Sequence, residues 1–186
     1  MKKIIYTLAL IVLISCGKEK RFTENADSIK ELQTLLADEF GKDAYYTSIS
    51  IINSSTSSGD IINTTQTSDP ASLKMGEWNH FQGKWTQSSE VTLELSEGAK
   101  AKDFMFKLDD SVINFKLLGD LVEKSKEKVK EEKKIDEVIV SSIYMNAPNN
   151  GDFEKMEYFI TIKPKNGGTS FDFWYKLDGT LRKFDY

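Results

Sequence analysis

An α+β fold, with an antiparallel sheet and helices on one of its faces, is predicted by three features of this 186-residue chain. Two stretches place apolar residues three and four apart, several others alternate with a period of two, and glycine-bearing turns separate the alternating runs. In the first helical stretch Ile29, Leu32, Leu36 and Phe40 form one stripe. Ser28, with Glu31 three residues later, reads as a capping box, and Gly41 stands where a glycine ends a helix. The period then changes: Tyr45, Thr47, Ile49 and Ile51 alternate with their neighbours up to a turn at Ser57-Ser58-Gly59-Asp60. Further strands are expected from Ile61 to Thr67, Trp78 to Gln87 and Val91 to Leu95, with Ser68 to Gly76, around Pro70, as a loop.

The pattern then restarts. Phe104, Phe106 and Leu108 suggest a strand, and Asp109-Asp110-Ser111 opens a second helical stretch with Phe115, Leu118, Val122, Ser125 and Val129 on one stripe. Its other face carries Glu123, Glu127 and Glu131, each three residues before Lys126, Lys130 and Lys134. Such pairs contribute roughly 0.2–0.5 kcal/mol each, so they keep a solvated face helical and mark no binding site. Turn sequences at Asn149-Asn150-Gly151-Asp152, Asn166-Gly167-Gly168 and Asp178-Gly179 follow at hairpin spacing. They divide the strands Val138 to Met145, Lys155 to Pro164, Thr169 to Leu177 and Leu181 to Tyr186, a four-stranded meander. Both halves share this order, and Gly59-Asp60 coincides with Gly151-Asp152 when they are aligned. A tandem repeat of a helix followed by a four-stranded meander is therefore expected, with residues 26–98 as the first unit and 99–186 as the second. The competing arrangement is one larger sheet with both helices on one face.

The doubled helix-plus-four-strand order, from Asp27 to Tyr186, resembles beta-lactamase-inhibitor-protein-like and PepSY-like domains of exported bacterial proteins. That resemblance is one of element order, with no sequence motif behind it. It implies binding, inhibition or chaperoning of other envelope proteins rather than catalysis.

The amino terminus gives an address. Lys2 and Lys3 precede a largely apolar run from Ile4 to Ile14, shorter than the ~20 residues of a membrane-spanning helix. Leu13-Ile14-Ser15-Cys16 then resembles the lipobox of bacterial lipoproteins. The resemblance implies that residues 1–15 are a signal peptide, that the Cys16 thiol carries a diacylglycerol, and that the new amino terminus gains a further acyl chain. Each buried methylene contributes ~0.8 kcal/mol and one chain anchors only marginally, so two or three chains make membrane lipid the first expected partner. The polar stretch from Gly17 to Asn25 reads as a tether. Gly17 resembles the residue of lipoproteins passed on to the outer membrane, while Lys18-Glu19-Lys20-Arg21 departs from the acidic signals of surface export in Bacteroidetes. An outer-membrane anchor facing the periplasm is the expected location.

Composition excludes several chemistries. The chain has one cysteine, one histidine and a net charge of −4, which becomes two units more negative when Lys2 and Lys3 leave with the signal. An acidic chain without a basic block does not suit nucleic acid. With Cys16 lipidated, neither a disulfide nor a thiolate ligand remains, and His80 alone makes no His/Cys zinc site. No cofactor, metal or catalytic residue is expected. The oxygen-rich turn of Asn149, Asn150, Asp152 and Glu154 lacks the spacing of a calcium loop and reads as a hairpin. Gly-x-Ser-x-Gly, Walker-type and Gly-x-Gly-x-x-Gly motifs are all missing.

The remaining chemistry lies in the rings. Trp78, Trp85, Phe171, Phe173, Trp174 and Tyr175 are candidates for contacting a partner protein or a glycan, because aromatics offer large contact area at small entropic cost. Phe171, Phe173 and Tyr175 share one strand face and Trp174 takes the other, so core packing competes with binding for most of them. Asp27-Ser28-Ile29 and Asp110-Ser111-Val112 resemble the Asp-Ser/Thr-aliphatic acceptor of Bacteroidetes O-glycosylation. Ser28 and Ser111 also stand where helices are expected to start, and a serine there is an ordinary cap. The expected function is a non-enzymatic envelope lipoprotein that holds a partner protein through an exposed sheet face. A glycan-binding accessory is second, and a carboxylate-based hydrolase third.

Overall fold

A computed structural model of the chain describes residues 21–54, 59–109 and 112–186. Cys16, Ser57, Ser58, Asp110 and Ser111 lie outside them, and with them the lipidation site, part of the first turn and one glycosylation candidate.

The fold is α+β. Helix α1 (Ala26–Phe40) is followed by strands β1 (Tyr45–Asn53), β2 (Asp60–Thr67), β3 (Lys74–Phe81) and β4 (Lys84–Thr92). Helix α2 (Phe115–Lys133) is followed by β5 (Val138–Asn146), β6 (Glu157–Pro164), β7 (Phe171–Lys176) and β8 (Leu181–Asp185). Helix and four strands thus occur twice in order, but the eight strands form one antiparallel sheet, β4-β3-β2-β1-β5-β6-β7-β8. The two meanders meet where β1 pairs with β5, Ile51 opposite Ile143. They also share one core. Ile29, Leu32 and Leu36 of α1 and Phe115, Leu118, Val122 and Val129 of α2 pack with Ile49, Ile51, Ile62, Ile143, Ile160 and Phe173. The helical stripes bury the faces their spacing predicts, and so do Ile49 and Ile51 of β1, but a bulge at Thr47 places Tyr46 in this core and turns Tyr45 and Thr47 to the other face. The helices also touch each other at Gly119, where a Cβ would lie 2.8 Å from the Ala26 carbonyl oxygen.

Four local expectations are corrected. First, both helices are capped by asparagine. Asn25 Oδ1 accepts from the Ser28 N–H at 2.9 Å and from its hydroxyl at 3.2 Å, and Asn114 Oδ1 accepts from the Leu117 N–H at 2.8 Å. Ser28 thus lies inside the first turn of α1, and α2 begins later than Asp109. Second, Trp78 to Gln87 is not one strand. The chain reverses at Gln82-Gly83, both at positive φ (52° and 69°), so β3 starts at Lys74 inside the expected loop. Third, the expected Phe104–Leu108 strand is a 3₁₀ turn at Ala101–Phe104 and a single bridge between Phe106 and Tyr46. The segment from Leu93 to Met105 covers one corner of the sheet's second face, where Met75, Ala101 and Met105 are buried with Leu73, Val91 and Leu95.

The fourth correction concerns the tether. Phe22 and Thr23 are buried, and the Thr23 N–H and hydroxyl donate to Asp60 Oδ2 at 2.7 and 2.8 Å. Arg21 Nη1 donates to Asn53 at 2.8 Å. Residues 21–25 therefore belong to the fold, because a buried carboxylate at the start of β2 binds them.

Candidate functional site: the helix-free sheet face

Alternation sends every second strand residue away from the helices. Six apolar side chains point that way from six adjacent strands: Phe81, Ile61, Ile52, Tyr144, Phe159 and Trp174. Each is half-buried, and none packs into either buried cluster. The result is two apolar runs offset by one step, Phe81, Ile61 and Ile52 on β3, β2 and β1 and Tyr144, Phe159 and Trp174 on β5, β6 and β7, because Ile52 stands opposite Ser142 and Tyr144 opposite Ser50.

The second run belongs to one row in register across the whole sheet. Thr86 pairs with Asn79, Asn79 with Asn63, Asn63 with Ser50, Ser50 with Tyr144, Tyr144 with Phe159, Phe159 with Trp174, and Trp174 with Lys183. Its first half is a polar ladder: Asn79 Nδ2 donates to Asn63 Oδ1 at 2.8 Å, and Asn63 Nδ2 to Ser50 Oγ at 3.2 Å. Its second half is aromatic, with ring centroids 5.9 Å apart for Tyr144–Phe159 and 4.9 Å for Phe159–Trp174. Lys183 Nζ lies 4.6 Å above the Trp174 ring. Charge is kept to the rim, where Arg182 pairs with Glu157, Lys183 with Asp185, and Thr161 donates to Asp172 at 2.7 Å.

The six rings expected from the sequence divide unequally. Trp174 alone joins the open face. Phe171, Phe173 and Tyr175 face the helices and are buried, the Tyr175 hydroxyl lying 2.9 Å from Ser125 Oγ under α2. Trp78 and Trp85 also turn inward, 5.4 and 4.8 Å from the Phe40 ring at the end of α1. Gly76 makes room for the Trp78 indole, since a Cβ there would stand 2.3 Å from its Nε1. Tyr144 and Phe159 were missed. Their signal, an aromatic between two buried aliphatic or aromatic neighbours, is present in Ile143-Tyr144-Met145 and Tyr158-Phe159-Ile160.

His80 faces inward, 4.9 Å from the Trp85 ring. Together with Asp60, Phe22 and Leu35 it lines a cavity of about 270 Å³. Burial pushes the Asp60 carboxyl above the usual carboxylate range, against the opposing pull of the Thr23 hydrogen bonds and of Arg21, 4.0 Å away. Among the described residues no three His, Cys, Asp or Glu side chains gather as a metal site, and no helix is long and apolar enough to cross a membrane.

No family model and no curated protein matches the sequence. A crystal structure described as a candidate lipoprotein from Clostridium difficile 630 is similar over 84% of this chain and 90% of that one, with 14% identity and a TM-score of 0.48.

Proposed function

We propose that the protein is a non-enzymatic lipoprotein of the cell envelope, anchored through Cys16, whose helix-free sheet face holds a partner protein. The two apolar runs Phe81–Ile61–Ile52 and Tyr144–Phe159–Trp174 on that face carry this reading. Apolar and aromatic side chains grouped on an open face with polar and charged groups beside them suit a protein interface, and Trp and Tyr are the side chains that most often dominate one. The anchor reading rests on the Leu13-Ile14-Ser15-Cys16 sequence, and the location is the periplasmic side of the outer membrane.

A photocrosslinking side chain at Phe159 tests the face in intact cells. It should trap a discrete protein adduct, while the same group at Glu39 on α1 should not. Acylated protein that gives no adduct from Phe159 would end the proposal. The glycan reading keeps one observation in its favour, the amide and hydroxyl ladder Ser50–Asn63–Asn79 aligned with the rings. It requires Trp174 fluorescence to respond to an envelope polysaccharide, and an unchanged spectrum across a panel of neutral glycans removes it.

A further inference from the structure

Anchoring at Cys16, as proposed above, has a geometric consequence. Because Arg21 is bound into the fold, only residues 17–20 separate it from Cys16. Five steps of fully extended chain span at most about 18 Å. An acyl chain in the bilayer therefore holds Arg21 within that distance of the headgroups, and the surface around Arg21 with it.

That surface is a cleft of about 650 Å³ bordered by the amino-terminal segment, the last turns of α2 and the start of β5. Arg21, Lys126, Lys130 and Lys165 line it together with Glu24, Asp136 and Glu137. Most of these charges are engaged. Lys126 Nζ donates to the Glu24 carbonyl oxygen at 2.7 Å and pairs with Glu123 at 3.1 Å, and Lys165 pairs with Glu137 at 3.0 Å. Lys130, expected to pair with Glu127, has no ion-pair partner among the described residues, and neither have the Asp136 and Glu24 carboxylates.

We propose that this cleft seats a zwitterionic phospholipid headgroup, its phosphate at Lys130 and its ammonium at Asp136. A purely anionic ligand would meet three carboxylates here, and a neutral sugar would leave the three unpaired charges unanswered. A headgroup carrying both signs sets its phosphate against Lys130 and its ammonium against the Asp136 and Glu24 carboxylates, and the short tether keeps such headgroups within reach of the cleft.

Acylated full-length protein reconstituted in vesicles of phosphatidylethanolamine and phosphatidylglycerol should show Lys130 acetylating roughly tenfold more slowly than in vesicles of digalactosyldiacylglycerol, as for a site held at about ten times its Kd. Lys42 and Lys155, at the other end of the strands, should react alike in both. The two lipids hold the protein equally near a bilayer, so equal protection of Lys130 would mean mere proximity and overturn the headgroup site. Equal reactivity without protection overturns it as well. The mass of the Cys16 peptide separates the two readings. An unacylated Cys16 removes the anchor and the headgroup site together, whereas an acylated Cys16 with unprotected Lys130 removes only the headgroup site.

Discussion

Asp60 fastens the amino-terminal segment to the sheet, and its titration is the clearest single-residue consequence of the fold. Its carboxyl is buried, and burial raises its pKa in the folded protein above the ordinary carboxylate value, so the native state holds the proton more tightly than the unfolded chain does. This contribution is complete below the unfolded pKa and is lost as pH rises through the folded one. Asp60→Asn removes the titration and keeps an acceptor for Thr23. Its denaturation midpoint should gain on that of the native protein as pH is raised from about 3 to about 7, whereas parallel curves would show that Asp60 is not the group responsible. Gly119 is constrained by distance instead. A Cβ 2.8 Å from the Ala26 carbonyl oxygen and 2.9 Å from its Cα meets backbone, which does not move aside as a flexible side chain would. Gly119→Val should therefore cost about 1–3 kcal/mol in urea denaturation, the range for overpacking.

At the scale of elements, capping distinguishes two neighbouring side chains. Asn25→Ala removes the acceptor for the Ser28 amide and should cost about 1 kcal/mol, while Ser28→Ala should cost clearly less. Equal losses by thermal unfolding would reinstate Ser28 as the cap. Both helical stripes and the last three hairpins were legible in the sequence because their signals are local: the apolar spacing, and Gly151, Gly167 and Gly179 at positive φ. The β3–β4 hairpin was not legible, since Gln82-Gly83 is a weaker turn signal than Asn-Gly and the tryptophans on either side read as one run. The segment 93–105 misled for another reason. Its apolar residues serve a separate small cluster on the far face, which no periodicity announces. Within β7 the alternation correctly set Trp174 against Phe171, Phe173 and Tyr175. Which neighbours would extend Trp174 into a row depended on the registers of β5, β6 and β7, and register is a tertiary property.

For the whole molecule, the two faces of the sheet assign opposite consequences to two tryptophans. Trp174→Ala should abolish capture of the proposed partner with little change in Tm. Trp85→Ala, which removes a ring packed against Phe40 and His80, should lower Tm by several degrees without weakening capture in the protein that remains folded. Crosslinking yield and calorimetry on both variants would expose a reversal. The β1–β5 pairing carries a different kind of consequence, one of timing. Each meander closes by joining strands that follow one another, but the seam opposes Ile51 to Ile143, and β2, β3, β4 and α2 all lie within the loop it closes. Contacts of such separation come late, because loop-closure entropy must be overcome before they contribute. Ile51→Ala and Ile143→Ala should accordingly speed unfolding far more than they slow refolding in stopped-flow experiments. A chain entering the envelope amino end first would then carry β1 as an unpaired edge until β5 arrives. That interval is when the chain is most exposed to aggregation through its open edge.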